Sequence, residues 1–235
     1  MGGRHLAVTF CLALVLAAPL AHADPRPAVV ELFTSQGCSS CPPADALLGE
    51  LARRPDVIAL AFHVDYWDRL GWADPFASPA ATARQRDYAR ALALPTVYTP
   101  QMVVDGATDV VGSDRAAVVA ALAGRRDGVA VHVARADGRL TVAIGAADAG
   151  APAEVTVIAY SRQAETKVAR GENAGRTLTE FAIVRAVRPL GLWDGAAKVF
   201  AVDLSSLPDS ATMAAVLVQG AGQGPVIGAA AAALR

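Results

Sequence analysis

The sequence has 235 residues, 54% of them hydrophobic, and its formal net charge is −1 at neutral pH. This length suits one large domain or two small ones. The lysines and arginines form no basic stripe of the kind that nucleic-acid binding needs, so the composition argues against nucleic acid as a partner.

The first 23 residues have the features of a secretory signal peptide. A short basic start precedes the apolar run Leu6–Leu20, and Ala21–Ala23 supplies a small-x-small cleavage pattern. We therefore expect a mature protein that begins at Asp24, lies in the periplasm or is secreted, and has no membrane span after cleavage. Cys11 leaves with the signal peptide, so the mature chain keeps two cysteines.

The segment from residue 24 to residue 126 predicts a thioredoxin-like α/β domain. The continuous apolar run Val57–Val64 is typical of a strand covered on both faces, and Ser78–Pro79 is typical of a helix start. The predicted order of strand, helix, strand, helix, hairpin and helix is that of small redox domains. The elements are Ala28–Thr34, Ala44–Arg54, Val57–Val64, Ser78 to about Leu92, the hairpin Met102–Val104 and Asp109–Val111, and a helix capped by Ser113 and ended by Gly124.

Residues 127–235 predict a second, mostly antiparallel β domain with a sandwich-like arrangement. Short alternating runs are separated by turns rich in glycine, aspartate and proline. The predicted strands are Val129–Ala134, Leu140–Ile144, Val155–Tyr160, Thr177–Val187, Lys198–Leu204 and Met213–Val218.

Cys38 and Cys41 are the candidate catalytic pair. They follow a predicted strand and precede a predicted helix, where a helix N-terminus stabilises a thiolate. We expect Cys38 to attack a disulfide and Cys41 to resolve the mixed intermediate. Pro42 and Pro43 depart from this pattern, since proline disturbs a helix interior, and so the helix is expected to be irregular or to begin later.

Two further groups of charged residues have open interpretations. Glu31 lies inside the first predicted strand, and it is either a buried proton acceptor or an edge residue. Arg84, Arg86 and Arg90 recur at helical spacing and predict a solvated helix face.

Thr99 and Pro100 complete the predicted catalytic set. The segment Thr99–Gly106 resembles the glutaredoxin segment in which a cis-proline opens a hairpin and faces the dithiol. The resemblance implies a cis Thr99–Pro100 bond packed against the cysteines. Val111–Asp114 resembles the turn at which glutaredoxins bind the glutathione carboxylate.

Four motifs resemble an uncharacterised family of exported thioredoxin-like bacterial proteins, known as a domain of unknown function. They are Phe33–Asp45, His63–Asp68, Gly71–Ser78 and Arg170–Arg176. The resemblance covers nearly the whole mature chain, and it implies the fold and export without supplying a reaction.

The sequence thus predicts an exported thiol–disulfide oxidoreductase that acts on protein or small-molecule disulfides, with a possible redox partner protein and no cofactor. Two alternatives stay open. One is a periplasmic Cu(I) metallochaperone with Cys38, Cys41 and His63 as ligands, because thiolates suit Cu(I). The other is a binding module whose disulfide is static.

Overall fold

The computed structural model describes residues 25–148 and 150–235. The predicted signal peptide, the mature N-terminus at Asp24 and Cys11 lie outside these residues. In chain order the elements are β1 Ala28–Thr34, α1 Pro42–Leu51, β2 Val57–His63, α2 Pro79–Ala91, β3 Gln101–Val104, β4 Thr108–Val111, α3 Arg115–Ala121, β5 Val131–Ala136, β6 Arg139–Ile144, β7 Ala153–Lys167, β8 Thr177–Trp193, β9 Lys198–Asp203, β10 Met213–Gly220 and β11 Val226–Ala233. Across the described ranges, no helix combines the length and the apolar character that a bilayer crossing requires.

The fold is a mixed α/β arrangement with a large, mostly antiparallel sheet and few helices. Its eight strands have the order β11-β10-β7-β8-β2-β1-β3-β4, and β5, β6 and β9 form a second sheet. β1 and β2 are parallel, and β2 meets β8 in parallel through the pair Ala61–Ile183. The large sheet therefore crosses the predicted boundary at residues 126 and 127, and strands from both predicted domains lie side by side.

Two apolar cores lie against this sheet. The first contains all of β1 except Glu31 and Thr34, together with residues of α1, β2 and β3. The second joins the small sheet to β7 and β10, with Val142, Val157 and Val216 among its fully buried members. Burial on both sides explains why β1 and β2 are almost continuously apolar.

The helix starts follow local capping chemistry. Ser78 caps α2 as predicted, and its hydroxyl accepts a hydrogen bond from the backbone N–H of Ala81 at 3.2 Å. The prediction of Ser113 as the cap of the next helix is wrong, because the Asp114 carboxylate accepts from the N–H of Ala117 instead. α1 begins at Pro42, two residues before the predicted start, since prolines fit the first turn of a helix.

Glu31 and Arg84 form a buried ion pair. Two guanidinium nitrogens of Arg84 donate to the Glu31 carboxylate at 2.5 and 2.9 Å, and Tyr88 donates its hydroxyl proton to the same carboxylate. The guanidinium also donates to the side-chain oxygen of Gln219 on β10. The prediction that Arg84 faces solvent is wrong, because its partner lies in a fully buried strand.

Candidate functional site

Cys38 and Cys41 form a disulfide in the segment between β1 and α1. The backbone N–H of Cys41 donates to the carbonyl of Cys38 at 3.2 Å, so the pair closes a tight turn directly ahead of α1. Both cysteines are fully buried, whereas Ser39 and Ser40 between them are exposed. The Cys38 sulfur lies 3.4 Å from the Ser40 hydroxyl oxygen.

The N-terminus of α1 has no spare backbone donor for a thiolate. Pro42 and Pro43 lack an N–H, and the next two N–H groups, those of Ala44 and Asp45, both donate to the carbonyl of Cys41. The helix dipole still points its positive end at the dithiol. The hydrogen bonds of the disulfide form thus give no support to stabilisation of a Cys38 thiolate by helix amides, which stays a prediction, and the Ser40 hydroxyl lies beside the sulfur.

The Thr99–Pro100 peptide bond is cis, as predicted. Gln101 pairs with Phe33 at the end of β1, which brings Thr99 and Pro100 to the sheet edge from which the cysteine segment leaves. The indole N–H of Trp67 donates to the Thr99 hydroxyl at 2.9 Å. The Cβ of Trp67 also lies 3.0 Å from the position that a Cβ on Gly37 would take, so Trp67 lies close to both segments. The catalytic roles of Thr99 and Pro100 stay predictions.

The loop between β7 and β8 covers the cysteine segment, which the sequence analysis missed. The side-chain amide of Asn173 donates to the carbonyls of Gln36 and Cys38, at 3.0 Å each. The N–H of Ser39 donates to the carboxylate of Glu172 at 3.0 Å. The only available signal was the motif Arg170–Arg176, to which no chemistry could be attached.

A cluster of buried ionisable groups lies beneath this segment. His63, at the end of β2, places its Nδ1 2.7 Å from Asp74 Oδ2 and 4.0 Å from Glu180 Oε1. Gln36 joins the cluster to the cysteine segment, because its backbone N–H donates to Asp74 and its side-chain amide donates to Glu180, both at 2.8 Å. Asp45 interacts electrostatically with this cluster from the first turn of α1.

Burial and mutual charge interactions shift the pKa values of this cluster. Burial raises the pKa of Asp45 to about 6 and that of Glu180 to about 7, although the nearby His63 opposes both shifts. Burial alone would lower the pKa of His63 and raise that of Asp74. Their charge interaction and hydrogen bond reverse both directions, so the pKa of His63 is raised and that of Asp74 is lowered. The site thus combines an ion pair with two carboxyl groups that titrate near neutral pH.

The structure does not group His63 with the two cysteines. Within the part of the chain that the structure describes, the potential metal ligands whose donor atoms lie within 4.8 Å of one another are His63, Asp74 and Glu180. The copper alternative of Cys38, Cys41 and His63 therefore gains no support from the geometry.

Two solved structures are similar to this chain over most of its length. The crystal structure of protein AGR_C_4864 from Agrobacterium tumefaciens shares 32% sequence identity, with 88% of this chain and 94% of that one covered and a TM-score of 0.76. HBP35 of Porphyromonas gingivalis shares 14% identity, with coverages of 89% and 76% and a TM-score of 0.62, which is a likeness of fold alone. No curated protein matches the sequence. A family model described as a protein of unknown function, DUF1223, matches residues 29–219.

Proposed function

The chain belongs to the DUF1223 family, and we propose that it is an exported thiol–disulfide oxidoreductase acting on protein or small-molecule disulfides. The observation that carries the proposal is the Cys38–Cys41 disulfide directly ahead of α1, with a buried acid, Asp45, one helical turn beyond it. Its place of action is the periplasm or the exterior of the cell, and a redox partner protein restores its working state.

The reaction exchanges one disulfide for another. The Cys38 thiolate attacks a substrate disulfide, forms a mixed disulfide and releases one substrate thiolate. The Cys41 thiolate then attacks the Cys38 sulfur, which releases the second substrate thiolate and re-forms the Cys38–Cys41 bond. Two electrons pass from the protein to the substrate, and two protons end on the substrate sulfurs.

Asp45 is the proposed proton acceptor for Cys41. It lies four residues after Cys41 in α1, so the two side chains share one helix face. Burial raises the pKa of Asp45 to about 6, which suits proton exchange near neutral pH. Glu31, which the sequence offered for this role, is instead held by Arg84.

Insulin reduction in the presence of a thiol tests the proposal. The wild-type protein is expected to accelerate the reaction, Cys38→Ser is expected to abolish the acceleration, and Cys41→Ser is expected to accumulate a mixed disulfide. Ser39→Ala is the matched control, because Ser39 lies between the two cysteines, is exposed and takes no part in the proposed exchange. Equal rates for Cys38→Ser and the wild type would refute the proposal.

Full burial of both cysteines favours a second candidate, a binding module with a static disulfide. The reduction potential separates the two functions. Structural disulfides lie below about −300 mV, whereas catalytic pairs lie between about −270 and −120 mV. A potential below the first value would favour the binding module.

A further inference from the structure

Three buried side chains from different parts of the fold converge beneath the cysteine segment. They come from the end of β2 (His63), the segment before α2 (Asp74) and β8 (Glu180), and each residue is at most 5% exposed. Their donor atoms all lie within 4.8 Å of one another. Nδ1 of His63 lies 2.7 Å from Asp74 Oδ2 and 4.0 Å from Glu180 Oε1, and two atoms this far apart can both lie at the zinc–ligand distance of about 2.0–2.2 Å from one ion.

One ring nitrogen in this group, Nε2 of His63, is buried and has no hydrogen-bond partner among the described residues. Gln36 donates to Oε2 of Glu180, whereas Oε1 faces His63 Nδ1 from 4.0 Å, beyond hydrogen-bond distance. Glu180 is 2% exposed. A buried polar atom without a partner costs free energy, so the hydrogen bonding of this group is incomplete among the described residues.

The buried charges are also unbalanced above neutral pH, where Asp45 and Glu180 have lost their protons. Asp45, Asp74 and Glu180 face one imidazole. Arg185 interacts electrostatically with Glu180 and Asp74, but it forms no ion pair with either of them: its Nε donates to the hydroxyl of Ser161 at 2.7 Å and its guanidinium stacks on the Phe76 ring. A divalent cation would balance this excess negative charge.

The ligand side chains are held in place by a second layer of hydrogen bonds. The backbone N–H groups of Gln36 and Phe76 each donate to one oxygen of Asp74, and the side chain of Gln36 holds Glu180. Such outer contacts orient ligands in protein metal sites. A cavity of about 250 Å³, lined in part by His63, Phe76 and Arg185, adjoins the cluster and offers a route for an ion.

We propose that His63, Asp74 and Glu180 bind one divalent cation, with zinc as the best match to one imidazole and two carboxylates. Binding replaces the hydrogen bond between His63 and Asp74 by two bonds to the ion, and the proton of that hydrogen bond leaves to solvent. The site uses neither cysteine, so it does not depend on the proposed redox function.

Calorimetric titration of metal-stripped, disulfide-bonded protein with Zn²⁺ tests this site. The Cys38→Ser/Cys41→Ser variant is titrated in parallel to exclude binding by thiols. We expect one ion per chain in both proteins, and a melting temperature that rises with the Zn²⁺ concentration. Glu180→Gln and Asp74→Asn should each weaken binding at least tenfold. Glu172→Gln, an exposed acid on the neighbouring loop, should leave it unchanged.

X-ray absorption spectroscopy at the zinc edge of the zinc-loaded wild type keeps the test valid even if a variant fails to fold. The spectrum is expected to report zinc bound by nitrogen and oxygen atoms, with one imidazole among the ligands. The absence of saturable binding, unchanged affinity in folded Glu180→Gln and Asp74→Asn, or sulfur ligation would each overturn the proposal.

Discussion

Replacing Asn173 by alanine tests whether the β7–β8 loop holds the cysteine segment. The Asn173 amide supplies the side-chain hydrogen bonds to two carbonyls, and the residue is 1% exposed. The Gln36 carbonyl would lose its donor, at a cost of about 1–3 kcal/mol, whereas the Cys38 carbonyl keeps the N–H of Cys41, so Asn173→Ala should lower the free energy of unfolding by about 1–3 kcal/mol. Urea denaturation of the disulfide-bonded protein measures this loss.

The same variant should expose the disulfide to reduction. Without the amide, the segment around Cys38 is free to separate from the loop, and dithiothreitol should reduce the disulfide at least several times faster. Glu172→Gln is the matched control, because the amide oxygen of glutamine still accepts the hydrogen bond from the N–H of Ser39. A stability loss below about 0.5 kcal/mol, the level of an ordinary surface substitution, with unchanged reduction kinetics, would refute this reasoning.

Three further predictions concern buried positions. Arg84→Met should lower the free energy of unfolding in urea by about 3–5 kcal/mol, because it leaves the buried Glu31 carboxylate without its cation. The double variant with Glu31→Gln should recover much of that loss. Burial raises the pKa of Asp45 from 3.8 to about 6, so the folded protein holds this proton more tightly than the unfolded chain does. The free energy of unfolding of the wild type should therefore fall as the pH rises from about 4 to about 6. Asp45→Asn should remove this loss of stability in unfolding measured as a function of pH. It should also remove the rise in the rate of thiol–disulfide exchange that the wild type shows near pH 6. A variant that keeps both effects would contradict the role of Asp45 as proton acceptor. Gly49→Ala should lower the melting temperature, since its Cβ would lie 2.4 Å from the ring of Phe181; an unchanged value would show that the ring moves freely.

Local patterns predicted the first half of the fold well. β1 has the predicted bounds, and β2 and α2 differ from prediction by one residue at one end. β7 and β8 are longer than predicted because the added end of β7 is polar and the added end of β8 contains Pro189 and Gly191, which are rare inside strands. The sequence did not predict β11, whose alanine-rich run favours a helix in isolation. Pairing with β10 overrides that preference.

The candidate site likewise contains some residues that the local sequence predicts and others that it does not. Cys38, Cys41 and the cis bond at Pro100 could be identified from short motifs, because each depends on its immediate neighbours. Asn173 and Glu180 could not, because their contacts with Gln36 span 137 and 144 residues of sequence. Such contacts exist only because β8 lies beside β2, and no local periodicity encodes that pairing.

The meeting of β2 and β8 has a consequence for any attempt to dissect the protein. A fragment ending at residue 126 would keep β2 but lose its neighbour, leaving the edge of a strand that is buried along its whole length and carries no lysine, aspartate or glutamate. Bare, apolar strand edges pair with one another between molecules and seed aggregates. Production of the dithiol segment therefore requires the β-rich half in the same polypeptide, or a redesigned β2 edge that carries charge.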